Sequence, residues 1–245
     1  TMNLHRDLEL QVAVAKVGKY AVSESGDTVE VIERPHGGLS LVLVDGQRSG
    51  KSAKAISNIV ARKAVSLLAD GVRDGAAARA AHDYLRTLRG GQVIATLNIL
   101  SVDLVTRTLV ISRNSHCPVI VVSGQEGELR LLDKPSQPIG VHSRTRPVIT
   151  ELPIVPGLYV VVFTDGVLSA GVRHGERLDA AAFVRDHLQL CSAETCAREL
   201  ADALLARAVE LDRNRPGDDG TVLVGSVVAR QRTDEVRRLA VRLPL

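Results

Sequence analysis

The strand-like runs at 93–103, 108–113, 118–122 and 129–132 follow one another across gaps of only a few residues. A parallel crossover needs a dozen or more residues, so a chain turned this tightly can pair only in antiparallel hairpins. That constraint removes the folds built on alternating strand and helix around a parallel sheet. What flanks the hairpins narrows the choice further.

Before them, 8–20 alternates apolar and polar in part, 28–32 is rich in β-branched residues, and 38–44 is almost continuously apolar. Turn signals at Ser25-Gly26 and Pro35-His36-Gly37-Gly38 separate these runs. Two helices follow. Ile56, Ile59, Val60, Ala64, Leu67 and Leu68 form one apolar stripe that Gly71 terminates, and Asp74 opens an Ala-rich helix running to about Arg89. Beyond the hairpins lies a looser stretch with Pro135, Pro138 and Pro147, then the apolar strand 158–163. Helical patterns occupy 178–189 and 192–211, the second with Cys196, Leu200, Leu204, Ala208 and Leu211 on one face. Strands are expected again at 221–229 and 236–243. Helices segregated in pairs around antiparallel hairpins predict an α+β fold: a four-layer αββα sandwich, two antiparallel β-sheets flanked by helix pairs. No repeat or linker divides the sequence, so a single domain over 1–245 is expected.

Composition sets aside several functions. The net charge is only +3, and aromatic residues are 2% of the chain with no Trp. Nucleic-acid binding would want a basic patch and stacking platforms, so none is expected. No apolar run approaches the ~20 residues of a membrane span, and the polar-charged start lacks a signal-peptide core; a cytoplasmic protein with no membrane partner is expected. The three cysteines, Cys117, Cys191 and Cys196, lack metal or disulfide spacing and are read as reduced thiols. The seven histidines show no metal-ligand spacing either; His82, His116 and His187 are read as structural or exposed.

The chemistry is concentrated in acids at strand mouths. The apolar run to Val44 ends in Asp45-Gly46, the run to Phe163 ends in Thr164-Asp165-Gly166, and the strand from Thr221 begins after Asp218-Asp219-Gly220. Ser25-Gly26-Asp27 precedes the strand that leads toward Asp45 and could stand at the same sheet end. Partly desolvated carboxylates converging there would repel one another. A hard divalent cation resolves the conflict, because Mg²⁺ or Mn²⁺ takes oxygen ligands from a few carboxylates. Each Asp-Gly pair alone is equally well an ordinary turn.

Taken in order, Gly26-Asp27, Asp45-Gly46-x-x-x-Gly50-x-x-Ala53, Thr164-Asp165-Gly166-Val167 and Gly217-Asp218-Asp219-x-Thr221 resemble the SpoIIE/RsbU branch of the metal-dependent (type 2C, PPM) protein serine/threonine phosphatases. Ala95-Thr96, Val102-Asp103 and His116-Cys117-Pro118 fit its middle, and the likeness extends over about 22–228. The resemblance implies two Mn²⁺ or Mg²⁺ ions. Asp45 would bridge both, the Gly46 carbonyl would bind one, and Asp165 and Asp218 would complete the catalytic set. Asp27 would act through water, with Asp219 as support or as ligand of a further ion. It implies direct attack by metal-activated water on phosphoserine or phosphothreonine of a phosphorylated regulatory protein, of the bacterial stress or sigma-factor signalling type. About twenty residues precede Ser23, too few for a sensor region, so a stand-alone phosphatase is expected.

Departures from the pattern are Arg48 in place of a loop Gly, Ser169 in place of an acid, and Leu158 in place of an Asp. Arg48 could contact substrate phosphate, narrow the entrance, or lie solvated. Gln47 stands where some relatives carry a His that could protonate the leaving group. Two other functions compete. One is a catalytically silent binding module on the same fold. The other takes Asp45 to Ser52, DGQRSGKS, as a phosphate-binding loop of a nucleotide hydrolase. That loop needs Gly at position 45 and a parallel sheet. The Arg-rich end (Arg230, Arg232, Arg237, Arg238, Arg242) is read as a charged edge strand.

Overall fold

The computed structural model describes residues 8–123, 127–190, 197–230 and 236–242. Its strands are β1 (Leu8–Val17), β2 (Asp27–Glu33), β3 (Leu39–Gly46), β4 (Ala95–Asp103), β5 (Thr108–Asn114), β6 (Val119–Ser123), β7 (Glu128–Leu132), β8 (Val148–Pro153), β9 (Leu158–Phe163) and β10 (Gly220–Ala229). The helices are α1 (Gly50–Ala69), α2 (Asp74–Leu88), a short α3 (Asp165–Leu168), α4 (Ala180–Leu190) and α5 (Ala197–Leu211). Strand order is β1-β10-β9-β6-β7 in one sheet and β2-β3-β4-β5-β8 in the other, with every pairing antiparallel.

The sandwich follows from period-two alternation on strands buried on both faces. On β3, Val42 and Val44 meet Val60, Ala64 and Leu68 of α1, while Leu41 and Leu43 turn toward the opposite sheet. On β9, Val161 and Phe163 pack with Leu200 and Leu204 of α5, while Val160 and Val162 join the layer between the sheets. Three apolar layers therefore separate four layers of backbone, the expected αββα sandwich. α1 stops where the sequence placed its end. Gly71, at φ +83, lets its own N–H reach the Leu68 carbonyl at 3.0 Å and that of Val72 reach Leu67 at 3.0 Å.

Three local expectations need correction. β8 was not anticipated: it is an edge strand on β5, and only Leu152 of its six residues is buried, so it carries no apolar signature. α3 is too short to show a period. No strand forms at 236–242; instead Arg237 ties this segment down, donating to Glu33 at 3.3 Å and to the Gly37 carbonyl at 2.8 Å. Cys191, Cys196, Arg232 and residue 243 lie outside the described residues. Cys117 is buried and reduced, and burial pushes its thiol up to about 12. His82 is a structural histidine, its Nδ1 accepting the Gly140 N–H at 3.0 Å. No helix among the described residues is long and apolar enough to cross a membrane.

Candidate active site

Register brings the first two acids together. β2 and β3 set Asp27 directly opposite Asp45, and β3 and β4 set Asp45 opposite Thr96. Asp45 continues the inward row of Leu41 and Leu43, so its carboxylate enters the seam between the sheets. The other sheet brings the second pair. Asp165 leaves β9 to open α3, and Asp218 and Asp219 run into β10, the neighbour of β9.

Glycines allow the backbones to meet. A Cβ on Gly166 would lie 2.1 Å from the Asp219 carbonyl oxygen, so only glycine lets these two loops touch. A Cβ on Gly46 would lie 2.1 Å from the carbonyl oxygen of Ala53, which seats the first turns of α1 on the end of β3. Asp219 is itself a clasp, one oxygen accepting the Lys19 N–H at 2.9 Å and the other the Gly26 N–H at 2.8 Å. That geometry suits support of the neighbouring loops. Asp218 accepts the Asp219 N–H at 3.0 Å.

Asp27 is fully buried. Its Oδ2 accepts hydroxyl bonds from Thr221 at 2.6 Å and Thr164 at 3.0 Å, but its buried Oδ1 has no partner among the described residues. Lys16 and Lys54 both reach its backbone carbonyl, each at 2.7 Å. Burial, opposed by the two threonines and Lys16, pushes the Asp27 carboxyl up to about 7. Burial and then repulsion by Asp27, Asp165, Asp218 and Asp219 push Asp45 up to about 9. Asp165 is raised by burial and by Asp218, and His116 partly offsets this. Lys16 is lowered by burial and by Lys54.

Such a set carries more negative than positive charge, and its free atoms are hard oxygens. An orphaned buried carboxylate oxygen and acids that raise one another's pKa fit divalent cations. Among the described residues, no three acid or histidine side chains already stand gathered as a ligand group.

All the sequence-named acids, Asp27, Asp45, Asp165, Asp218 and Asp219, thus fall around one seam. Four further participants were missed. Thr164 and Thr221 orient Asp27, and Lys16 and Lys54 bracket it. The signal for Lys16 was available: it interrupts the apolar alternation of β1 near its end. His116, read as structural or exposed, is exposed but lies within electrostatic reach of Asp165. Gln47 is occupied in structure, its Oε1 accepting the Ile94 N–H at 3.2 Å. Arg48 is exposed, with φ +73, a left-handed conformation that glycine adopts without strain.

The model of the Stage II sporulation protein E (SpoIIE) family matches residues 35–228. The PP2C phosphatase domain of SpoIIE from Bacillus subtilis, solved with a fragment of its regulatory domain, superposes with a TM-score of 0.78 at 18% identity. That match covers 92% of this chain and 65% of that one. The RsbU and RsbW domains of Rv1364c from Mycobacterium tuberculosis give 0.71 at 19% identity, covering 92% and 62%. The catalytic domain of the serine/threonine protein phosphatase PstP, in complex with two manganese ions, gives 0.65 at 17% identity, covering 90% and 99%. The chain therefore spans less than two thirds of the first two structures, and the fold they share is the PP2C fold. No curated protein matches it in sequence.

Proposed function

Because the chain belongs to the SpoIIE family, which its match over 35–228 establishes, we propose that it is a metal-dependent phosphatase acting on phosphoserine or phosphothreonine in a regulatory protein. The observation that carries this reading is the set of acids delivered by four strand mouths, two from each sheet, around one acid-rich seam. We read the whole of 1–245 as one phosphatase domain working in the cytoplasm.

Asp45, the Gly46 carbonyl, Asp165 and Asp218 would hold two Mn²⁺ or Mg²⁺ ions, with Asp27 acting through water. PstP, of the same fold, binds two manganese ions. Such ions lower the pKa of the attacking water and neutralise charge on the phosphoryl oxygens. The chain's own residues do the rest. Thr164 and Thr221 fix one oxygen of Asp27 and leave the other without a partner among the described residues. Asp219 holds the loops of Lys19 and Gly26 in place. Arg48 stands at the entrance, where its guanidinium could fork onto a phosphoryl group.

The test is hydrolysis of a phosphoserine peptide and of a small aryl phosphate, with and without Mn²⁺. Turnover should require the metal and vanish with chelator. Full activity after exhaustive chelation would overturn the reading, and metal binding without any turnover would favour a silent binding module. The phosphate-binding-loop alternative is disfavoured by the antiparallel neighbours of β3 and by Asp45 itself.

A further inference from the structure

Beside the acid ring, a cleft of about 530 Å³ carries charge of the opposite sign. It is lined by Lys19, Tyr20, Arg173, His174, Arg213 and Arg215, drawn from the β1–β2 loop, the segment after α3 and the end of α5. The one carboxylate in its wall, Asp212, is buried and taken up by the Gly171 and Gly217 N–H groups, each at 2.8 Å, with Arg173 at 3.7 Å. With Arg173 offset in part by Asp212, Lys19, Arg213 and Arg215 face a cleft that holds no free acid among the described residues.

The cleft is tied to the segments that carry the acids. Lys19 also donates its backbone N–H to Asp219, and Gly217 directly precedes Asp218. Arg173 lies flat over Gly217: a Cβ there would come 1.8 Å from its guanidinium. The Tyr20 N–H bonds the Pro216 carbonyl at 2.9 Å, joining the two lips into one floor. Arg215 stacks over the Tyr20 ring, 5.3 Å from its centroid, which keeps its guanidinium extended. Arg213 and Asn214 are both left-handed, at φ +54 and +58, so the chain bends sharply off α5 to present Arg213 and Arg215. A helix C-terminus attracts cations by its dipole, but that explains neither Lys19 nor Arg173.

Resting on the phosphatase reading, we propose that this cleft is a substrate subsite that binds acidic side chains flanking the phosphorylated serine or threonine. The cations are spread along an open cleft rather than focused on one point, which suits several carboxylates of a peptide better than one phosphate. They also offset the repulsion that an acidic segment would meet from the acid ring.

Two phosphoserine peptides test it, one with Glu on both sides of the serine and one with Ala, alongside an aryl phosphate and an unphosphorylated, fluorescein-labelled Glu peptide. With Mn²⁺, the wild type should favour the Glu peptide in kcat/KM by about tenfold, an advantage that shrinks with salt. Arg213→Glu/Arg215→Glu should erase that preference and leave aryl phosphate turnover unchanged; Arg213→Lys/Arg215→Lys should retain most of it. Equal wild-type rates on both phosphopeptides, or equal losses on all three substrates in the charge-reversed variant, would overturn the subsite. If the wild type hydrolyses nothing, the phosphatase reading fails on its own, and fluorescence anisotropy of the labelled peptide then decides the cleft. Binding to the wild type and not to the charge-reversed variant supports it, and absence of binding overturns it.

Discussion

Asp45→Asn should make the metal-free protein more stable while destroying its activity. In the unfolded chain the Asp45 carboxyl titrates near its ordinary 3.8, whereas in the fold it keeps its proton to about 9. Between those values the native state binds more protons than the unfolded state, so the contribution of Asp45 to stability falls as pH rises through that window. At about pH 7 the chain has crossed some 3 units of it, which at 1.36 kcal/mol per unit sets a ceiling of about 4 kcal/mol. Asp27 and Asp165 are raised chiefly by burial and also by neighbouring carboxylates, so the titration of Asp45 is not independent of theirs and the ceiling is not reached. A gain of about 2 kcal/mol is therefore expected from the uncharged, nearly isosteric Asn, or about 4–8 °C in Tm for a chain of this length. Circular dichroism melts in chelator would measure it. The gain should be small near pH 5 and should grow toward about pH 8. Mn²⁺ should raise Tm of the wild type and hardly move the variant. A variant less stable than the wild type throughout, or a gain independent of pH, would refute both the electrostatic account and the placement of Asp45 in the ring.

Other outcomes follow from the same geometry. Asp45→Asn should abolish turnover and Asp165→Asn and Asp218→Asn nearly so, whereas Asp27→Asn should be milder because one of its oxygens is already held by Thr164 and Thr221; steady-state rates rank them. Gly46→Ala must displace the first turns of α1 and should cost about 1–3 kcal/mol or more in urea unfolding, since its Cβ would meet the Ala53 carbonyl at 2.1 Å. Arg48→Gly relieves a left-handed arginine and should stabilise by about 1 kcal/mol. If Arg48 grips phosphate, Arg48→Ala should also raise KM for phosphoprotein with Mn²⁺ affinity unchanged. Chelation of the wild type should lower Tm yet leave far-UV circular dichroism native, because the three apolar layers do not depend on metals.

Much of the architecture was legible because its strands are buried on both faces and its turns are short. Neighbour relations were not. Alternation shows which face of a strand is covered but cannot reveal that β1, at one end of the chain, pairs with β10 at the other. The edge strand β8 escaped because burial, the source of the pattern, barely reaches it. At the site, the acids were readable from their positions at strand mouths. The hydroxyls that serve them were not: the threonine after β9 and the one on β10 acquire meaning only once Asp27 is known to be buried beside them. The basic cleft has the same origin, since three separate segments supply it and none is unusually charged alone.

The acid ring straddles two sheets, with Asp27 and Asp45 carried by one and Asp165 and Asp218 by the other. Leu43, Val162 and Leu223 belong to the layer between them, so that layer is a gauge block: its thickness sets the span between the two donor pairs. A methylene added or removed there changes a length on which the proposed in-line attack depends, and misplacement by about 1 Å can cost about a hundredfold in rate. The same change beneath α1 or α5 leaves the span alone. Substitutions in the outer apolar layers should register chiefly as lost stability, and those in the middle layer first as lost turnover.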